Sequence, residues 1–305
     1  MIEKDRLKLA EKSLKGVSIG DAFGESFFGE RNSVLKHIAA KTIPKTSWDF
    51  TDDTIMAIAV FEQLENNQTI YQDELAQAFA RNHNIDLYRG YGATARTILR
   101  EIDEGKHWRD VSTAVFEGMG SMGNGASMRV SPIGAYYFDD LEKVKALAIQ
   151  SAEITHSNIE GITGAIAVAL ATSLSTKMNL EQKKLNPTEF ISKIVEFLPD
   201  SDTKSKVNKG LSIPPSYNIQ TLESILGNGM KIMAVDTVPF AVWCAAHNLS
   251  DFKSALWKAV SILGDRDTIC AIVGGITIMS SEENNIPADW LASVEDFNSS
   301  IFRTN

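Results

Sequence analysis

The chain has 305 residues, 44% hydrophobic and 23% charged, with 30 Lys plus Arg against 39 Asp plus Glu and hence a net charge of −9. This excludes collagenous, low-complexity and disordered classes and leaves one large or two ordinary domains, each able to bury a core. The acidic balance repels phosphate backbones, so nucleic acid is an unlikely partner, and any phosphate-bearing ligand needs a local device to offset the charge.

Helical spacing dominates the chain. Leu7, Ala10, Leu14 and Val17 recur at three and four residues and predict one apolar helix face. The preceding MIEKDRLKLAEK carries both charge signs and no apolar stretch, which does not fit a signal peptide. Residues 48–64 read as a loop entering a helix and 74–80 as a short Ala-rich helix. Leu141, Val144, Ala148 and Ala152 form another stripe. Gly161 to Ser175 is apolar nearly all round, as expected of a central helix. Three further helices are expected over 235–246, 252–262 and 268–280. Long alternating Val/Ile/Thr segments are missing, so strands are few and the predicted class is all-α, a compact bundle. Residues 179–228 differ. KKLNPTE, FLPDSDTKSKVNKG and SIPPSYN read as a variable surface excursion around one helix, Glu189 to Phe197. With no repeat and no linker, a single domain over 1–305 is expected.

Cys244 and Cys270 sit in apolar runs and read as core thiols rather than a disulfide framework or a zinc site. The longest apolar runs, 162–174 and 268–279, fall short of a membrane span. The expectation is a cytoplasmic protein without a membrane partner.

Two acidic turns invite chemistry. Thr51-Asp52-Asp53-Thr54 precedes IMAIAVF, and Asp265-Arg266-Asp267-Thr268 precedes ICAIVGG. Thr and Asp belong at helix N-caps and first turns, where they accept backbone N–H groups and face the positive dipole end. One acid suffices for that, however, and two crowded carboxylates repel unless a cation answers them. Two such turns could face each other across a shared site. Carboxylate and hydroxyl oxygens suit hard divalent ions, Mg²⁺ or Mn²⁺, over zinc. Gly118 to Arg129 (GMGSMGNGASMR) is a third candidate. Its backbone N–H groups could cradle phosphate, although it is not a Walker A sequence. Arg129 could serve a phosphate or a structural carboxylate. His156 opens the central helix; His37, His83, His107 and His247 show no metal-ligand spacing.

Together, GDAFGESFFG, FTDDT, YRGYGATAR, GSMGNGASMRVSPIGA, THSNIEGITGAIAVA, DTVPFAVWCAA and GDRDTICAIVGGI resemble, in order, the motifs of the ADP-ribosylglycohydrolase (DraG-like) family. The resemblance spans nearly the whole chain outside 179–216. It implies an all-α fold, a centre of two Mg²⁺ or Mn²⁺ ions, and hydrolysis of the bond between ADP-ribose and an acceptor, with an arginine-type acceptor favoured. By match to family motifs, Thr51, Asp52, Asp53, Asp265, Asp267 and Thr268 would be metal ligands. Asp53 and Asp267 would also be catalytic. Ser121, Gly123, Asn124, Gly125 and His156 would line the ADP-ribose site, joined by Tyr91 and Gly92. Arg266 falls at a variable position. Relatives often carry a Glu seven residues after the Asp of the GDA motif; here that position is Phe28, and Glu25 is the carboxylate expected to take its catalytic role. The partner would be an ADP-ribosylated protein or small molecule. The alternative is a metal-dependent ADP-ribose-binding module without turnover.

Overall fold

Small residues decide how closely the two most important helices meet. The computed structural model describes residues 2–44, 47–282 and 285–303. Its helices run in the order α1 Glu3–Glu25, α2 Arg31–Ala40, α3 Asp52–Asn67, α4 Gln72–Ile85, α5 Ala93–Asp103, α6 Trp108–Ala114, α7 Ser131–Tyr136 and α8 Leu141–Glu153. They continue with α9 Ile159–Leu180, α10 Pro187–Phe197, α11 Asp202–Lys209, α12 Ile219–Leu226, α13 Ala234–Ala246, α14 Phe252–Val260, α15 Arg266–Thr277 and α16 Ala288–Ser293. Among the described residues there is no strand, only the isolated bridges Trp48–Val294 and Gly123–Met233. The expected all-α bundle is the observed architecture.

The central packing is α1 against α15, and it is antiparallel. Gly16, Gly20 and Gly24 lie four residues apart and so share one face of α1. Gly16 abuts Gly274, Gly20 abuts the Cys270 carbonyl, and Gly24 abuts the backbone of Arg266 and Asp267. A Cβ at Gly16 would stand 2.5 Å from the Gly274 oxygen, and one at Gly20 or Gly24 would overlap the α15 backbone. This near contact drives the start of α15 against the last third of α1, where Asp21 lies.

Helix α9, apolar on every side, lies within the bundle against α7, α8 and α13. Its 22 residues extend beyond the apolar run read from sequence and reach the length and hydropathy of a membrane span, but 83% of its apolar window is buried inside the fold. Each fully buried Leu, Ile, Val or Phe of this kind contributes ~1.5–3 kcal/mol. Cys244 and Cys270 are buried and free.

The 179–228 segment departs from expectation: α10, α11, a 3-10 turn at Gly210–Ser212 and α12 fill it, rather than one helix in a surface loop. Each of these helices has a cap and an anchor. Asn186 and Glu189 form a reciprocal capping box, Ser201 caps through Lys204 N, and Asn218 through Thr221 N. Phe190, Ile194, Val207, Leu222 and Leu226 are buried. Glu160 on α9 accepts from Asp202 N (2.9 Å) and Thr203 N (2.8 Å), tying α11 down to the bundle.

Candidate active site

The N-termini of α3 and α15 meet. Thr51, at the N-cap of α3, leads into Asp52 and Asp53; Asp265, at the N-cap of α15, leads into Arg266, Asp267 and Thr268. The Thr268 hydroxyl donates to Asp53 Oδ2 at 3.3 Å, and the Thr51 hydroxyl lies 3.3 Å from the same oxygen. Two turns 215 residues apart therefore share one carboxylate. They form one wall of a cavity of about 590 Å³, together with Met56, residues 90 and 92–95, the 119–125 loop, Met128, His156 and residues 231–233.

Electrostatics at this wall are one-sided. Burial raises Asp53 well above the usual carboxylate range, and the charges of Asp21, Asp267, Asp52 and Asp265 add to it. Asp52 is raised by burial, then by Asp267 and Asp21; Asp265 by burial, then by Asp267. Asp53 Oδ1 and Asp267 Oδ1 are buried without a hydrogen-bond partner, an arrangement that costs free energy unless a cation or donor answers it. Among the described residues, no three His, Cys, Asp or Glu side chains close into a group around one ion. The donors that come closest include two threonine hydroxyls, and such all-oxygen sets suit hard divalent ions. The orphaned carboxylate oxygens and this donor chemistry fit a divalent cation.

Each turn is held by something else. Asp21, fully buried on α1, accepts from Thr51 N (2.9 Å), Thr51 Oγ1 (2.9 Å), Thr54 N (3.1 Å) and Thr54 Oγ1 (2.5 Å). Burial pushes it up to about 7. Asp52 N donates to the Arg89 carbonyl at 2.6 Å, and Arg89 is clamped by Glu295 at 2.7 Å and Asp86 at 3.0 Å. On the other side, Asn124 Nδ2 donates to Asp265 Oδ2 (2.5 Å) and lies 3.0 Å from the Thr237 hydroxyl. Asp265 N donates to the Asn228 carbonyl at 3.0 Å. Gly229, at φ +83°, lies so close that a Cβ there would stand 2.5 Å from the Asp265 Cβ.

The glycine-rich loop adjoins this wall through Asn124 and lines the same cavity. Gly123 and Gly125 lie over the His156 ring; a Cβ at Gly123 would be 2.8 Å from His156 Nε2. Burial, reinforced by Arg129, lowers His156 to about 3, so the ring is neutral, with Nδ1 2.7 Å from the Thr155 hydroxyl. Arg129 is fully buried, its Nη2 donating to the Ser151 carbonyl (2.6 Å) and Thr155 Oγ1 (2.9 Å), with its guanidinium 4.4 Å from the Phe79 ring. Its neighbours make it a structural anchor of the floor. Ser121 Oγ accepts from Gly123 N at 3.1 Å.

The structure thus brings Asp52, Asp53, Asp265, Asp267, Thr268, Ser121, Gly123, Asn124, Gly125, His156 and Gly92 to one cavity, with Thr51 behind it. Two residues lie elsewhere. Tyr91 is buried beside His83, ring centroids 4.9 Å apart, and does not line the cavity. Glu25 ends α1 outside the lining, its charge acting on Arg266. Phe28 is an exposed ring 4.8 Å from the Arg266 guanidinium. Asp21 is not assigned a role by the sequence, and Thr54 is named there only as the end of the first acidic turn. Their positions inside GDA and TDDT were the available signal, but nothing local says that the two motifs bond to each other.

A family model described as ADP-ribosylglycohydrolase matches residues 3–304. The chain is 29% identical to human ADP-ribosylhydrolase ARH3, over 93% of this chain and 88% of that one. It is 32% identical to the Bos taurus protein of the same name, over 81% and 74%. It is also 23% identical to ADP-ribosylarginine hydrolase Tri1 of Pseudomonas putida, over 94% and 74%. A solved structure of an "ADP-ribosylglycohydrolase-related protein complex" shares the fold, with a TM-score of 0.61 at 19% identity and coverage of 96% of this chain and 94% of that one.

Proposed function

This chain belongs to the ADP-ribosylglycohydrolase family, and from that premise we propose that it hydrolyses the glycosidic bond between ADP-ribose and an acceptor, using two divalent cations, Mg²⁺ or Mn²⁺. The observation that carries this reading is the contact between the turns, Thr268 to Asp53 at 3.3 Å, at the wall of a cavity large enough for a nucleotide-sized ligand. Thr51, Asp52, Asp53, Asp265, Asp267 and Thr268 would hold the ions. Bound there, the ions would stabilise developing charge as Lewis acids and acidify a water.

The remaining work belongs to the chain. Backbone N–H groups of the 121–125 loop other than Gly123 N and Asn124 N, which bond to Ser121 Oγ and the Ile232 carbonyl, would be the donors for the diphosphate, and the neutral His156 ring beneath them adds no competing charge. Binding energy from that remote end positions the ribose over the acidic turns. Cleavage breaks the C1–acceptor bond through an oxocarbenium-like state; the attacking water gives its oxygen to C1 and one proton to a carboxylate of the cluster, and the departing acceptor, which leaves with the bonding electron pair, takes up one proton in turn.

The substrate would be an ADP-ribosylated protein or small molecule. The relative named as an ADP-ribosylarginine hydrolase supports an arginine acceptor as the first to assay. The test is a panel of arginine-linked, serine-linked and small-molecule ADP-ribose conjugates, with free ADP-ribose measured by chromatography. Release is expected with Mg²⁺ or Mn²⁺ and is lost in EDTA. Tight binding without release on every substrate would replace hydrolysis by a binding module; release unaffected by EDTA would remove the cations.

A further inference from the structure

Helices begin with backbone N–H groups that lack intrahelical partners, and a side chain from the same segment usually caps them. At α3 this local cap is weak, because Thr51 Oγ1 accepts from Asp53 N only at 3.3 Å. A carboxylate from another helix supplies the rest. Asp21 Oδ2 accepts the N–H groups of Thr51 and Thr54, the N-cap and N3 positions, as well as the Thr54 hydroxyl. It is the pattern of a capping box, delivered across the helix interface rather than within the helix.

We propose that Asp21 is a positioning residue for the cation site: by capping α3 from α1, it frees Asp52 and Asp53 from capping and fixes the Thr51 hydroxyl as an acceptor. Thr51 Oγ1 carries one hydrogen, and the 2.9 Å contact to Asp21 Oδ1 takes it, the shorter of its two acid contacts. Both lone pairs of Thr51 Oγ1 are then left for N–H groups or a cation. Asp53 Oδ1 keeps no partner within the fold, as a group not spent on capping should. The glycine face of α1 sets where Asp21 stands, since Gly20 and Gly24 lock that turn of α1 against Cys270 and Arg266. One carboxylate thereby registers the first acidic turn against the helix that begins with the second.

This inference rests on the cation-dependent reading above, and its test separates the two. Asp21→Asn, Thr54→Val and Thr54→Ser would be titrated with Mn²⁺ by calorimetry, below the melting temperature of each, beside ADP-ribose release. Asp21→Asn is expected to weaken Mn²⁺ binding by about 10–100-fold, the usual cost of losing a group that orients metal ligands. Thr54→Val should show a smaller loss in the same direction, and Thr54→Ser, which keeps the hydroxyl, should restore wild-type affinity. A merely structural role would lower the melting temperature without changing Mn²⁺ affinity in the folded protein. Wild-type Mn²⁺ affinity in Asp21→Asn, or in Thr54→Val should Asp21→Asn not fold, overturns the proposal. A wild-type protein that binds no Mn²⁺ removes the cation reading itself, and the positioning role with it.

Discussion

The two acidic turns look alike in sequence and are supported in opposite ways. The first, Thr51 to Thr54, is held from beneath by the rigid α1–α15 packing through Asp21. The second, Asp265 to Thr268, is held from the ligand side, by Asn124 of the glycine-rich loop and by the 228–229 segment. The first turn is thus fixed by the core, whereas the second, whose Arg266–Asp267 backbone also packs on Gly24, has its Asp265 end fixed by a wall of the cavity. Because Asn124 bonds Asp265, a ligand bound against the 121–125 loop is expected to act on the geometry of Asp265 as well.

If both turns converge on the same ions, their central carboxylates should be equally indispensable despite this difference. Asp53→Ala and Asp267→Ala are each expected to lower ADP-ribose release by about 10³-fold or more, several kcal/mol of charge stabilisation. Melting in EDTA should not fall, because each substitution relieves like-charge repulsion. Full activity in either purified, metal-replete variant breaks the convergence.

The support of the second turn predicts a smaller and different loss. Asn124→Ala leaves Asp265 Oδ2 without its 2.5 Å donor. Mn²⁺ affinity measured by calorimetry should drop about 10–100-fold. The loss should shrink when ADP-ribose is present, since the ligand then orders the loop. An equal loss with and without ADP-ribose would show that the loop and turn are not coupled.

This asymmetry was only partly legible in the sequence. The all-α class followed from helical periodicity, and the acidic turns stood out because two carboxylates exceed what a cap needs. Nearly every residue matched to the family's motifs lies at the cavity. Long-range partners were not legible. Asp21 reads as part of a Gly-rich helix end, and only the fold shows that it bonds to residues 30 and 33 positions away. Tyr91 sits in a cavity-lining segment but turns inward to His83, a choice of side-chain direction that no local pattern fixes. The α11 helix was hidden for another reason: DTKSKVNK has a single large apolar residue, Val207, too few to show a period, and tertiary anchoring through Glu160 replaces the missing pattern.

The core support of the first turn can be attacked without touching an acid. Gly20→Ala places a methyl group against the Cys270 carbonyl and must push α1 from α15. About 1–3 kcal/mol of stability should be lost, read as a lower urea midpoint at unchanged slope. Because Asp21 follows Gly20 directly, Mn²⁺ affinity of the remaining folded protein should fall too. Gly118→Ala, at a glycine where a Cβ meets open space but φ is +87°, should cost less and leave Mn²⁺ affinity unchanged.

The smallest effect concerns pH and tests whether the acidic wall is stressed when no cation answers it. Asp21 is raised to about 7 by burial, and Asp52, Asp53 and Asp265 are raised as well. A carboxyl whose folded pKa exceeds its unfolded value binds more protons when folded, so stability falls as pH rises from the unfolded value through the folded one. For Asp21 that window opens near pH 4, the ordinary carboxylate value, and closes near 7. In EDTA the melting temperature should decline by a few degrees between pH 5 and pH 8. Mn²⁺ should raise it more at pH 8 than at pH 5, because protons and cations compete for the same oxygens. A metal-free protein that grows more stable across that interval would mean that the carboxylates are already compensated within the fold, and the second turn would then need no ligand to hold it.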